Sequence, residues 1–532
     1  MVEQLSQISG TRACVLTLIS VLVFIISKAT YNLYFHPLAK YPGPKLAAVS
    51  EIWFARIWIN GSLARSLQEA HAKYGDIVRI APNDLDFVSV QAFRDIHGHA
   101  SKKDSAVFSK SEMYDSFDPV PAFATMRDPK QHAEGRRKFA HAFSATSLSR
   151  QSEYIMKYID TFMRQIANPS LVLILLKAWR VKHELCNFRL HIQILEHGRI
   201  VESNRLQWLN WLTFDIVGDL AFGDSFGAVE QATPSPEIDR IINIFFTGSL
   251  GEVFRRVPLA KLFAPFMPSV RKLFKDYNAH LDFALQKVRK RIARGNDRDD
   301  FFGHIIGDDS NKPNELWLRA EAEILLAAGT DTTATSIGGM TYYLLQAPKT
   351  LEILQKEIRT TFTDHSEIDE LSTQKLPYLN AVIEEALRLT PPLPINLPRT
   401  SPGGLVDGDF IPKGTTVTTH QYTMHRHPKY WTEPDEFHPE RFLPLSHPLY
   451  DTKFRNDNLE ASKPFLTGRH TCIGRNLAYL ELRIILSKLV FLFDWEATST
   501  LGPGKDIDWK RDLSAKFMWV KPPLRVRYIP RS

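Results

Sequence analysis

The run Phe465-Leu466-Thr467-Gly468-Arg469-His470-Thr471-Cys472-Ile473-Gly474 holds one of three cysteines in a chain of 532 residues. Arg475 to Phe493 follows, rich in Leu, Ala and Ile at helical spacing and without Pro or Gly. The spacing predicts a helix with the thiol at its mouth. Unpaired N–H groups and the positive end of the helix dipole favour a thiolate there. Gly468 permits a turn with positive φ, and Gly474 permits close approach of the chain to a large flat partner. Phe465 can pack beside the sulfur and keep water off it. A lone cysteine is commonly an inert packing residue. The Phe, the two Gly and the helix start around Cys472 point instead to a ligand.

A thiolate held this way suits an axial haem ligand, whose electron donation favours O–O cleavage. The run resembles the haem-binding loop of the cytochromes P-450, F-x-x-G-x-R-x-C-x-G, at Phe465, Gly468, Cys472 and Gly474. His470 stands at the family's Arg position, with Arg469 just before it. Leu466 stands where a small or polar residue is usual. The resemblance implies Cys472 as iron ligand, with Phe465, Gly468, Gly474 and His470 as the loop's cofactor contacts.

Glu315 to Leu345 contains no Pro and enough helix formers to predict one long helix. Its middle reads Ala328-Gly329-Thr330-Asp331-Thr332-Thr333, residues that are costly in a helix interior. The Thr332 hydroxyl can reach the Ala328 carbonyl four residues back, bending the helix and opening a groove. A hydroxyl and a carboxylate in such a groove can order water and pass protons. A simple kink with a Thr cluster is the plainer reading. The stretch resembles the family's A/G-G-x-D/E-T-T motif, which implies Asp331 and Thr332 as the proton-delivery pair.

Glu385 and Arg388 lie three apart on a helical stretch and so share a face. Alone, most such pairs are surface ion pairs of little worth. The stretch resembles the family's E-x-x-R, and Pro439-Glu440-Arg441-Phe442 its P-E-R-F. This implies a buried network of Glu385, Arg388 and Arg441 that holds the haem pocket. The basic helix around His132 to Lys138 reads on its own as a solvated face. It resembles the family's W-x-x-x-R helix, with His132 at the Trp position and Arg136 as a haem-propionate contact. Arg399 matches another propionate contact. By the same resemblance Phe117, Leu325, Ala328, Ile395 and Leu397 line the substrate pocket.

Length alone suggests three or more domains, but the resemblance assigns nearly the whole chain to one. Hydrophobic content of 44% and charged content of 23% are ordinary for a globular chain. A net charge of +7 is modest, argues against a nucleic-acid binder, and suits an anionic membrane or an acidic partner. Cys14 and Cys186 form no C-x-x-C or zinc spacing with Cys472, so reduced thiols in a cytosol-facing domain are expected. His97-Gly98-His99 and His425-Arg426-His427 read as solvated loop histidines, because neither pair has further ligands at metal spacing.

Ala13 to Ser27 is apolar but shorter than the ~20 residues that span a bilayer. Lys28 can snorkel and extend the stretch toward Phe35. A retained signal-anchor is preferred over a cleaved signal peptide, since no A-x-A-like site follows. Tyr41-Pro42-Gly43-Pro44 then forms a stiff hinge. Ile77 to Ile80 and Phe87 to Val90 flank Pro82-Asn83-Asp84 as a hairpin. Val257 to Met267, apolar and bounded by prolines, is either a membrane-touching loop or a loop packed on the core. Leu171 to His197 fits no helical stripe and reads as an insertion or as translated non-coding sequence.

The expected fold is therefore mainly α with small β-sheets, that of the cytochromes P-450. An N-terminal membrane anchor and hinge would occupy residues 1–40, and a haem-thiolate domain residues 41–532, with 171–197 an atypical insertion. The resemblance implies a monooxygenase inserting one oxygen atom from O2 into an apolar terpenoid or polyketide. Electrons would come from NADPH through a separate flavoprotein reductase docked on Arg137, Lys138 and Arg475. The implied location is the endoplasmic reticulum membrane, with the catalytic domain facing the cytosol. The alternatives are an O2-independent rearrangement or dehydration enzyme, and a non-catalytic product disabled by the 171–197 segment.

Overall fold

A helix of 32 residues, Glu315–Gln346, runs through the middle of the protein. Asn314 caps it by accepting from the Leu316 and Trp317 N–H groups, and Ala347 ends it just before a proline opens the next helix. Most of its side chains are buried, so it is apolar on nearly every face rather than striped. It packs against helices Arg205–Phe222, Pro268–Ala293, Pro377–Leu389 and Arg475–Leu492. A Cβ on Gly329 would lie 2.6 Å from Val217 of the first of these. The glycine thus serves helix–helix approach, a packing reason the sequence reading did not find.

This computed structural model describes residues 2–98, 107–116, 118–167, 205–232, 236–295, 298–306, 314–497 and 508–531. Phe117 and the segment Leu171 to His197 lie outside the described residues. Helices dominate, as expected, and the sheets are small. One has five strands in the order Ile77–Ala81, Asp84–Phe87, Thr416–Thr419, Arg399–Thr400, Ser109–Lys110. The first two strands are antiparallel, and the second pairs in parallel with Thr416–Thr419. Near the C-terminus Ser514–Lys516 and Met518–Val520 form a tight hairpin, with Phe517 at its tip in the left-handed region at φ 75°.

The expected hairpin is present, but its second strand ends at Phe87, short of Val90. Ser89 accepts a hydrogen bond from the Ala92 N–H and starts helix Val90–His97, so capping overrides the β-branched run. The loop-histidine reading is also corrected. His97 is buried and its Nε2 bonds the Thr419 hydroxyl at 3.0 Å, while His425 is buried with Nδ1 3.0 Å from the Arg388 carbonyl.

The N-terminal helix runs Val2–Tyr34, and its apolar span Arg12–Tyr34 has 23 residues, exposed along most of its length, with Asn32 buried near its end. At 1.5 Å per residue that is about 34 Å, enough to cross a ~30 Å hydrocarbon layer. The helix continues past Lys28, so the span outreaches the Ala13–Ser27 core. Between the helices ending at Arg256 and starting at Pro268, the short turns Pro258–Leu262 and Ala264–Phe266 expose Leu259, Leu262, Phe263, Phe266 and Met267. That exposure decides against a loop packed on the core.

Candidate active site

Cys472 sits three residues before the start of helix Arg475–Leu492, as the spacing predicts. Its N–H donates to the Phe465 carbonyl at 2.9 Å and closes the loop. Phe465 packs on Tyr479 of the following helix, with ring centroids 5.0 Å apart. Gly468 has φ 69°, and a Cβ there would lie 2.3 Å from the His97 carbonyl oxygen, so both conformation and space demand glycine. At Gly474 a Cβ would meet only the Cys472 sulfur, at 3.9 Å, which leaves that side open. Leu466 adopts φ 59°, a region that costs a side-chain-bearing residue.

The thiol has accessible surface yet lies deep in the protein. Burial pushes its pKa up, against the Gly474 N–H, Arg136 and Arg475, which pull it down. Desolvation thus opposes the thiolate that the Gly474 N–H and the two guanidinium groups favour.

Cations converge beside the loop. Arg136, on helix Pro129–Ala140, lies close enough to Cys472 for the thiolate to support its charge. Arg399 is buried on its strand, with Nη1 bonded to the Tyr114 hydroxyl and, at 2.8 Å, to the Leu397 carbonyl. The His470 ring lies against His132, with centroids 4.6 Å apart and the planes tilted by 55°. Burial, then Arg399 and Lys110, hold His470 far below the usual histidine range; burial and Lys110 hold His132 at about 3. Arg399 Nε and His470 Nδ1 are buried without a hydrogen-bond partner. A buried cationic cluster with orphaned donors, next to a sulfur with accessible surface, fits a flat apolar group that carries carboxylates.

On the central helix the Thr332 hydroxyl donates to the Ala328 carbonyl at 2.6 Å, the bond expected from the sequence. Ala328 is exposed while its neighbours Ala327 and Thr330 are buried. Asp331 forms a buried ion pair with Lys521, which also bonds the Thr335 hydroxyl at 2.7 Å. Ile395 and Leu397 share an apolar cluster with Met113, Val253 and Phe517, and Leu325 belongs to the main core.

The supporting network is complete. Arg388 donates to both Glu385 oxygens, at 2.7 and 2.8 Å, and Arg441 Nε to one of them at 3.2 Å. All three side chains are inaccessible to solvent. Arg388 also bonds the His425, Pro434 and Glu436 carbonyls, and Arg441 pairs with Asp457.

The family model for cytochrome P450 matches residues 42–526. The chain belongs to the cytochrome P450 family. It is 42% identical over 506 residues to the cytochrome P450 monooxygenase BOA3 of Botryotinia fuckeliana, covering 94% of this chain and 93% of that one. It is 37% identical over 509 residues to the cytochrome P450 monooxygenase poxC of Penicillium oxalicum (95% and 92% covered). It is also 33% identical over 525 residues to the trichothecene C-15 hydroxylase of Fusarium sporotrichioides (96% of each). This P450 is accordingly a haem monooxygenase, an oxidoreductase that takes its electrons from a redox partner, typically NADPH through a reductase.

Four side chains around the P450 site escaped the sequence reading. Lys521 and Lys110 sit in unremarkable local sequence. Glu481 is buried and accepts from the Thr333 hydroxyl at 2.9 Å, with burial pushing its pKa up to about 8. Phe517 carried one usable signal, a bulky residue between two short β-like runs.

Proposed function

We propose that this P450 hydroxylates an apolar fungal secondary metabolite, a terpenoid or polyketide, at the endoplasmic reticulum membrane. Bound haem supplies O2 binding and activation, helped by electron donation from a sulfur ligand. Cys472 would hold the iron, while Phe465, Gly468 and Gly474 keep the loop closed and let the cofactor approach. Arg136, Arg399 and His470 would take the propionates. Thr332 and Asp331 would hold and move protons for the reaction. Leu325, Ala328, Ile395 and Leu397 would shape the pocket, to which Phe517 is added. Arg137, Lys138 and Arg475 are exposed, a basic face that would meet an acidic reductase. Helix Val2–Tyr34 would anchor the chain, and the exposed Leu259–Met267 surface would rest on the bilayer.

The observation that carries this reading is the Thr332 to Ala328 hydrogen bond in the middle of an otherwise well-packed helix. A hydroxyl fixed beside Asp331 suits proton delivery, which an O2-independent rearrangement does not need. The test is a metabolite comparison between cells with and without the gene, grown under isotopically labelled O2. The expected result is a new product carrying one labelled oxygen. A new product without label would overturn the reading. The Thr332→Ala protein should keep its haem and divert electrons to peroxide; equal yield per electron would count against the role of Thr332.

A further inference from the structure

Strands Gly404–Val406 and Asp409–Ile411 form a separate hairpin, turned by Asp407-Gly408 in the left-handed region at φ 51° and 84°. Strand alternation gives it two faces. Val406 and Ile411 point inward and share a buried cluster with Leu38 and Tyr41. Leu405 and Phe410 lie directly opposite each other on the outer face, 63% and 60% exposed. Asp409 pairs with Lys40 at 2.8 Å. The hairpin is thus fastened to residues 38–41, the stretch that follows the N-terminal helix.

The end of that helix is itself fixed. Its last-turn carbonyls have no partner within the helix. Arg79, buried on strand Ile77–Ala81, donates to the Asn32 carbonyl at 2.7 Å, and its charge suits the negative end of the helix dipole. Asn32 in turn donates to the Val49 carbonyl at 3.3 Å. The helix therefore enters the domain docked, not on a loose tether. Tyr31, Tyr34 and Phe35 are exposed at this end, the aromatic belt of a helix leaving a bilayer. From Tyr34 to Leu38 the chain can reach at most about 14 Å. A domain docked this way cannot lift the hairpin far from the bilayer surface.

We propose that Leu405 and Phe410 form a bilayer contact of the catalytic domain, beside the exit of the N-terminal helix. The proposal rests on the anchor reading given above and adds a surface remote in sequence from the helix and from Leu259–Met267. Its partner is the phospholipid interface, which covers an apolar pair that the fold leaves open. Two side chains add a point of contact, while the helix supplies the hold.

The test uses the full-length holoprotein in phosphatidylcholine vesicles. The photoreactive residue p-benzoylphenylalanine replaces Phe410, Phe24 or Leu371, one at a time. Phe24 lies in the middle of the apolar span, and Leu371, exposed on helix Glu370–Gln374, gives the background of an apolar residue elsewhere. Illumination and mass spectrometry of the intact chain then count phospholipid adducts. The probe at Phe410 should carry adducts as the probe at Phe24 does, well above Leu371. Adducts at Phe24 with only background at Phe410 would overturn the proposal. So would a cross-linked dimer at Phe410 in place of lipid, which would make the hairpin a contact between copies of this chain. Should the probe at Phe410 cost the parental carbon-monoxide spectrum, the probe at Leu405, its cross-strand neighbour, decides by the same criterion. Background alone at Phe24 would instead remove the anchor reading on which the proposal stands.

Discussion

Lys521, one residue past the strand Met518–Val520, forms a buried ion pair with Asp331 in the middle of the central helix. The two side chains are 7% and 6% exposed, and Lys521 also holds the Thr335 hydroxyl one turn on. The C-terminal hairpin and the proposed proton donor are therefore tied together. Asp331 must leave or share this partner to carry a proton toward Thr332.

The first prediction concerns that tie. Lys521→Met frees the carboxylate and leaves it buried without its counter-charge. With reductase and NADPH, peroxide released per NADPH should rise, and the fraction of electrons reaching water or product should fall about tenfold. Lys521→Arg should stay near the parent, and Asp331→Asn should resemble Lys521→Met. Unchanged peroxide in Lys521→Met alone would make the pair structural. Unchanged peroxide in Asp331→Asn as well would remove Asp331 from proton delivery.

The second prediction concerns Glu385, which neutralises parts of two fully buried guanidinium groups and accepts from the His438 N–H at 2.8 Å. Glu385→Ala leaves Arg388 and Arg441 short of a carboxylate and should cost about 3–5 kcal/mol. The measurement is haem-loaded soluble yield together with the thermal midpoint. Normal yield and midpoint would show that the remaining carbonyls and Asp457 are sufficient.

Much of this site was legible because its determinants are local. The Thr332 to Ala328 bond joins residues four apart on one helix, and the Cys472 loop closes over a few residues. The helix limits at Glu315 and Arg475 follow from a capping Asn and from glycine placement. What stayed hidden joins distant segments. Lys521 and Asp331 are 190 residues apart, and Thr333 and Glu481 are 148 apart. No periodicity encodes either contact. Gly329 looked like a functional expense and is a close helix crossing. His97 and His425 looked solvated because the elements that bury them are remote in the chain.

The third prediction addresses the membrane. Removing residues 1–28 deletes most of the apolar span and should weaken sedimentation with membranes while leaving the haem spectrum intact. The exposed Phe263 and Phe266 should account for the residue of binding. Phe263→Ser with Phe266→Ser in the shortened chain should release the protein into the soluble fraction. Full membrane retention in that triple change would place the attachment elsewhere.

The fourth prediction is a pH dependence. Glu481, Glu321 and Glu323 are all raised to about 8, chiefly by burial. A carboxyl whose folded pKa exceeds its unfolded value near 4.3 binds its proton more tightly in the folded state. Its favourable contribution is complete below that unfolded value and is lost as pH rises toward about 8. Each group can contribute at most about 1.4 kcal/mol per pH unit across this window. Glu481→Gln keeps an acceptor for the Thr333 hydroxyl and cannot ionise. Its thermal midpoint should therefore fall less steeply than the parent's between pH 5 and 8, by roughly the share of one titrating carboxyl. Parallel slopes in the two proteins would mean that Glu481 is ionised in the folded state, with a partner the Thr333 contact does not supply.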